Sequence, residues 1–378
     1  LRPHGLSGGM HLHEAIPRMV TTILARYFAA RFVIAALGTF GAIFFLVITV
    51  DYIELMRRAS SLPNVPVLFV AQTAFFRVPL TLEKLMPFCI LIGAMVSFLA
   101  LSRRLELVIA RAAGISAWQF TTPALVSALL LGILATTVYN PVTAEMLERG
   151  KRMEAKLFTD SAPQDGAGFW LNQSTSEGQS IINAARSVGQ GALLTGITVY
   201  RYDPSGTFKE RIEANEATLE PGRWVFKGVR RYNLDNPMVE EATATLATTL
   251  VMAQIRNSFA TPETVSFWQL PDYIQSSQNS GQTMAGYRLQ YEKLIARPFL
   301  LAAMVLLAAA VSLRFFRFGG VQKMVLSGVA AGFLLYVLSK VTEDLSKAEL
   351  MHPLAAAWLP VCVGGLSGFL ALLYQEDG

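Results

Sequence analysis

The sequence predicts an α+β membrane protein: six membrane-spanning helices, three before and three after an inserted all-β domain of jellyroll type. Two observations predict it. Apolar runs of spanning length fill both ends of the chain, while the polar middle alternates with the period of a strand. Composition agrees, because 378 residues that are 53% hydrophobic and 16% charged, with mean hydropathy +0.41, are too apolar for a soluble domain and too polar to be membrane throughout.

The first run, 32–50, holds no charge, and about 19 residues at about 1.5 Å rise cross a hydrocarbon core of about 30 Å. Residues 1–14 contain no apolar h-region, so 1–22 reads as an upstream extension, with Met10 or Met19 as candidate natural starts and the first run as an uncleaved anchor. The second run, 85–101, follows an apolar stretch at 67–76 interrupted by Arg77, Pro79, Glu83 and Lys84. It is either one long helix broken near Pro79 or an interfacial piece feeding a short span. The third run is 115–139, closed by Asn140-Pro141.

Short alternating segments then follow at 168–172, 180–186, 193–202, 208–219, 223–234 and 239–251. Asp203-Pro204-Ser205-Gly206 supplies turn chemistry for a hairpin, and strands at such spacing build a sandwich, jelly roll or barrel. The inward positions Ile197, Val199, Ile212, Leu219, Val225 and Phe226 read as ordinary core. A short helix at 267–277 stops at Asn279–Gly281, and a helix from about Met284 leads into spans at 299–313, 325–339 and 350–374. The domain layout is therefore an extension at 1–22, three spans within 23–144, a β domain at 145–283 and three spans within 284–378. Gly328 with Gly332, and Gly364 with Gly368, have small-xxx-small spacing, which serves packing within the subunit as well as dimerisation.

The net charge of +5 and pI near 9.2 reflect basic residues at the ends of apolar runs, which is membrane topology rather than nucleic-acid contact. With the N-terminus inside, the inner segments carry Arg18, Arg26, Arg31, Arg103, Arg104, Arg111, Arg314, Arg317 and Lys323. The outer loops carry Arg57, Arg58, Lys340 and Lys347, so the positive-inside bias sets a cytoplasmic N-terminus and an external β domain. Cys89 and Cys362 lie within apolar runs and read as packing residues. The four histidines have no metal-ligand spacing, Gly150-Lys151 lacks the upstream glycine of a phosphate-binding loop, and no cofactor is implied.

Residues 102–116 (SRRLELVIARAAGIS) join the second and third spans on the inner side. On a helical wheel Leu105, Val108, Ile109 and Ala112 share one face, with Arg103, Arg104, Glu106 and Arg111 opposite and turned outward. Such a helix lies across the membrane surface, either as an interfacial connector or as a docking helix. Arg57 and Arg58 stand where the bias disfavours positive charge; headgroup anchoring explains them, and so does pairing with lipid phosphates. Arg149, Lys151 and Arg152 widen the same rim or form a solvated neck into the β domain. Glu83, Lys84 and Arg297 lie near the outer side, facing a bundle interior or the headgroups, with no role assigned by sequence alone.

Arg104-Leu105-Glu106-Leu107-Val108 with Ala112-Ala113-Gly114-Ile115-Ser116, together with the three-plus-three layout, resembles the LptF/LptG permease family over about residues 23–374. The segment 52–59 (YIELMRRA) resembles the LptG branch of that family, although Asp51 stands where the branch pattern is basic. The resemblance implies a non-enzymatic permease subunit of an ATP-driven lipopolysaccharide exporter in the bacterial inner membrane, with the β-jellyroll in the periplasm. It implies an LptF paralogue, an LptB ATPase dimer, and LptC with LptA beyond it as partners. Arg103, Arg104, Glu106 and Arg111 would couple to the ATPase, and Arg57, Arg58, Arg149 and Arg152 would meet lipopolysaccharide. The reading from another class is a membrane-anchored assembly protein whose β domain recruits partners.

Overall fold

The computed structural model describes residues 10–60, 66–106, 109, 112, 114–158, 169–175, 178–188, 193–233, 238–248, 261–278, 285–318 and 320–377. They form two compact units, one helical and made from both ends of the chain, the other spanning Phe158–Thr261. Arg111, the 279–281 stop and the ends of several expected strands lie outside the described residues.

The helical unit contains α1 (Met10–Ala59), α2 (Val67–Arg103), α3 (Ala117–Leu134), α4 (Asn140–Phe158), the short α5 (Leu270–Gln278), α6 (Ala285–Phe318), α7 (Val321–Lys347) and α8 (Pro353–Asp377). Six stretches are long and apolar enough to cross a membrane: Ile23–Ala59, Val67–Arg103, Ala117–Glu154, Ala285–Leu313, Val321–Lys347 and Pro353–Gln375. The apolar windows of α2 and α6 are each 56% buried, whereas those of α1 and α7 are 6% and 22% buried, so α2 and α6 form the inside of the bundle. Helix α6 packs against α2, α3, α7 and α8, and its Leu301, Val305 and Ala308 are fully enclosed. A Cβ at Gly328 or Gly332 would strike Met95 or Leu91 of α2, and one at Gly364 or Gly368 would strike Leu335 or Leu306. The small-residue pairs thus serve close packing inside this chain.

Helix α2 runs unbroken through Pro79 and Pro87. Asn140-Pro141 does not close the third span: a single π-turn, Ala135–Tyr139, passes straight into α4. The reason lies in the carbonyls that prolines leave without a donor four residues upstream. Pro141 frees the Thr137 carbonyl, and Trp268 Nε1 donates to it at 3.1 Å. Pro298 frees that of Leu294, which accepts from Thr136 Oγ1 at 2.9 Å. Pro360 frees that of Ala356, which accepts from Thr342 Oγ1 at 3.0 Å. Where hydrocarbon offers no water, donors from neighbouring elements keep these helices continuous.

The second unit is one six-stranded antiparallel sheet in sequence order: β1 (Phe169–Thr175), β2 (Gly178–Val188), β3 (Leu193–Tyr202), β4 (Phe208–Glu220), β5 (Arg223–Asn233) and β6 (Val239–Ala247). No Greek-key crossover occurs among the described strands, and the ladder is not closed. Its edges nonetheless meet, because the buried Gln173 of β1 donates to the Ala247 carbonyl of β6 (3.2 Å) and accepts from Thr248 Oγ1 (2.6 Å).

A crease crosses this sheet. Ala185, Gly196, Asn215, Gly228 and Ala242 stand side by side on β2 to β6, and none of the four neighbouring pairs among them is part of the ladder. Gly196 and Gly228 both have φ 63°, a conformation that suits a residue without Cβ. The buried alternation shifts phase there: Leu194 precedes Ile197 and Val199 on β3, and Trp224 and Phe226 precede Val229 on β5. Both halves therefore face one core, in which Trp224 is fully enclosed. Trp224 takes the inward place expected for Val225, which lies on the other face.

Candidate functional site

Polar side chains gather at both ends of the helical unit. At the proximal end, where α2 gives way to α3, Arg104 caps α2 and Leu105 turns with φ 62°, a backbone state rare for a residue with a branched side chain. Glu106, Ile109 and Ala112 are helical, and Ser116 and Gln119 form a reciprocal capping box that starts α3. Arg103 and Arg104 are exposed, as are Leu105 and Ile109. Glu106 does not point outward with the arginines: Tyr27 of α1 donates to its Oε1 at 3.2 Å. Arg31 donates to the Tyr27 hydroxyl at 3.1 Å and lies 5.3 Å from the ring centre, while Glu106 Oε2 is buried without a partner. Tyr27 was not legible as a site residue, since nothing local marks a tyrosine at the start of a span.

At the distal end, where the chain departs for the sheet and returns, all four arginines of the expected lipid rim are more than half exposed and each has a carboxylate on its own helix. Arg57 directs Nε and Nη2 at Glu54 (3.0 and 2.7 Å), and Arg58 Nε reaches the same carboxylate at 2.9 Å. Arg149 pairs with Glu145 at 2.5 Å and Arg152 with Glu148 at 2.6 Å. Exposed pairs of this kind hold geometry more than they add stability, roughly 0–1 kcal/mol each. Arg77 joins them from α2, lying 3.6 Å from Asp51 of α1 and 3.1 Å from Glu154 of α4. Three helices are thereby tied at one point, and the acidic Asp51 faces a guanidinium supplied by α2.

Deeper in the same end, Glu83 of α2 is 5% exposed and meets Arg297 of α6 at 2.6 Å and Asn140 Nδ2 at 2.9 Å. Asn140 Oδ1 accepts from the Phe267 amide at 2.9 Å, and the Tyr139 hydroxyl donates to the Pro79 carbonyl at 3.0 Å. The π-turn sets these side chains, since one inserted residue re-aims the helix at Tyr139 and Asn140 toward α2. Beside the pair lies a cavity of ≈ 300 Å³ bounded by α2, α6, α7 and α8. Glu83 and Arg297 thus form a buried pair apart from the Arg57 rim, while the exposed Lys84 beside it is held by Glu263 at 2.8 Å.

Six helices of spanning length in two groups of three, interrupted by a sheet, are the architecture of a multi-pass membrane protein. Residues 26–374 match the family model for the lipopolysaccharide export system permease LptF/LptG, and the chain belongs to that family. It is 23% identical over 324 residues to the lipopolysaccharide export system permease protein LptG of Escherichia coli (strain K12), covering 82% of this chain and 87% of that protein. The LptG of Haemophilus influenzae is 23% identical over 295 residues, covering 75% of this chain and 79% of the relative.

Proposed function

We propose that this chain is the LptG-type subunit of an ATP-driven lipopolysaccharide exporter of the bacterial inner membrane, working with an LptF-type paralogue and an LptB ATPase dimer. The observation that supports it most is the family match, which runs through both helical groups and the sheet. The N-terminus is cytoplasmic and the sheet periplasmic in this reading, from the arginine bias. The sheet passes lipid toward LptC and LptA. Arg103, Arg104, Glu106 and Arg111 couple the chain to the ATPase: the arginines present charge to a complementary surface by charge-assisted bonds, and Glu106 ties the corner that carries them to α1 through Tyr27.

The geometry suggests how a push is carried. Glu106 holds Tyr27, and one continuous helix, α1, runs from Tyr27 to Arg57 and Arg58, about 45 Å away at about 1.5 Å per residue. Movement of the proximal corner would reach the distal arginines through that rod. Arg57, Arg58, Arg149 and Arg152 then meet lipid phosphates by exchanging their intrahelical carboxylates for a doubly charged partner.

Purified with LptB and the paralogue in lipid, the complex should hydrolyse ATP, and Glu106→Ala should leave hydrolysis running while lipopolysaccharide release falls. Normal release by Glu106→Ala would overturn the coupling role. A membrane anchor would neither bind the ATPase nor stimulate it.

A further inference from the structure

The π-turn between α3 and α4 does more than re-aim one side chain. In it the Asn140 amide donates to the Ala135 carbonyl, five residues back, so the turn holds one residue more than an α-turn would. Four of the five residues from Thr136 to Asn140 then bond to other elements. Thr136 donates to the Leu294 carbonyl of α6, and the Thr137 carbonyl accepts from Trp268. The Tyr139 hydroxyl donates to the Pro79 carbonyl of α2, and Asn140 joins Glu83 of α2 to the Phe267 amide. An α-wound turn could not keep this set, because removing the extra residue turns everything after it by about 100° relative to what precedes it. The π-turn is the rarer winding, and these bonds to its neighbours are what hold it here.

The segment 262–270, through which the chain returns from the sheet, is seated on that turn. Phe267 stacks on Tyr291 of α6 at 5.6 Å with the ring planes 10° apart, and Val265 and Leu270 are buried. Two further ties, Phe267 to Asn140 and Trp268 to Thr137, end on groups that the winding presents. Upstream of the turn, Gly132 of α3 lies so close to Pro298 of α6 that a Cβ would collide with its backbone. With α3 held against α6, a change of winding must turn α4.

We infer that residues 135–140 and 262–270 form one two-state switch: π-wound with the returning segment seated, as in this structure, or α-wound with the segment released. By linkage, whatever favours one winding favours the matching state of the segment. Since α4 carries Arg149 and Arg152, rewinding would re-aim that part of the arginine rim. This consequence alone rests on the function proposed above.

Pro141→Ala tests the switch, because it gives residue 141 an amide that can donate to the Thr137 carbonyl four residues upstream and compete with Trp268. It alters none of the residues that hold the segment. In the purified complex, hydrogen exchange of the Phe267 amide, read from overlapping peptides, should rise about 5–30-fold, the effect of losing one or two hydrogen bonds. Pro123→Ala, which restores an amide within α3 away from the turn, should leave that exchange unchanged. Exchange at Phe267 that stays at the parent rate in Pro141→Ala, or rises equally in Pro123→Ala, overturns the inference. The unaltered complex gives a reading free of any folding defect: with ATP trapped on its ATPase, the same amide should exchange faster by a similar factor. A complex that hydrolyses ATP yet shows one exchange rate in both nucleotide states overturns the switch. One that hydrolyses none counts against the exporter reading instead, and the proline variants then decide the switch by themselves.

Discussion

The helical unit and the sheet bend by opposite means. In the helices, Pro141, Pro298 and Pro360 each release a carbonyl, and Trp268, Thr136 and Thr342 from elsewhere in the bundle supply the missing donor. In the sheet, Gly196 and Gly228 allow a positive φ, and the crease leaves its ladder pairs unmade. Hydrocarbon around spanning helices offers no hydrogen bonds whereas the surface of a sheet is open to water, so at Pro141, Pro298 and Pro360 a side chain replaces the lost backbone bond and in the crease none does. The helical unit should therefore be sensitive to deletion of polar side chains, and the sheet to addition of apolar bulk.

The largest effect tests the helical half of that contrast. Glu83→Ala removes the partner of Arg297, which is 13% exposed, and leaves a guanidinium enclosed without its carboxylate. Breaking a buried pair from one side costs about 3–5 kcal/mol, and it should be read as a fall in the unfolding temperature of the detergent-solubilised complex. Replacing both residues by Gln should recover part of it. Equal cost for the single and double changes would show that the pair is no local unit.

Bulk in the crease comes next. A Cβ at Gly228 would approach Asn215 Nδ2 to 2.5 Å in addition to the strain at φ 63°. Gly228→Val should destabilise the sheet by about 2–3 kcal/mol. Asn215→Ala in the same chain should relieve the contact but not the backbone strain, giving partial rescue measured by hydrogen exchange on β4 and β5. Full rescue would mean that sterics alone, not conformation, select glycine there.

A smaller loss is expected where a donor covers a proline-freed carbonyl. Thr342 is 3% exposed, and Thr342→Val keeps its shape while removing the bond to Ala356. The expected cost is about 0.6–1 kcal/mol, in line with hydrogen bonds between membrane helices. Pro360→Ala restores a backbone donor to that carbonyl, so the threonine substitution should then cost less. An undiminished cost would make Thr342 a packing residue only.

These pairings also explain what the sequence could reveal. Charge-free runs such as 32–50 and alternating segments such as 193–202 carry their structure in local periodicity, and six spans and six strands follow from it. Asn140-Pro141 reads as a stop by local rules, because the donor that lets the helix continue, Trp268, lies far away in the sequence. Glu106 misleads a helical wheel for the same reason: the wheel knows its neighbours at three and four residues, not Tyr27 on α1. Arg77 reads as an interruption in an apolar stretch until α1 and α4 bring Asp51 and Glu154 to it. Gly196 and Gly228 are different, since isolated glycines within strand patterns are a local signal of a bulge or crease.

The smallest effect concerns a turn whose chemistry is local. Between β3 and β4 the Asp203 carboxylate accepts from Ser205 Oγ at 2.6 Å and from the amides of Ser205 and Thr207, each at 2.9 Å. The Ser205 hydroxyl bond first, and then the Thr207 amide, hold its pKa below the ordinary value of 3.8. A carboxylate whose folded pKa is lowered contributes stability above its unfolded value and loses it as the pH falls through the folded one. The turn should thus be tightest at neutral pH and loosen only below pH 3.8, with the amides of Ser205 and Thr207 exchanging faster for their pH while β3 and β4 stay protected. Asp203→Ala should produce the same local loosening at neutral pH. Asp203→Asn keeps an acceptor oxygen and should fall between the two; if it matches the alanine variant, the negative charge rather than the hydrogen-bond geometry fixes the turn, and even the most local bend of the sheet depends on electrostatics.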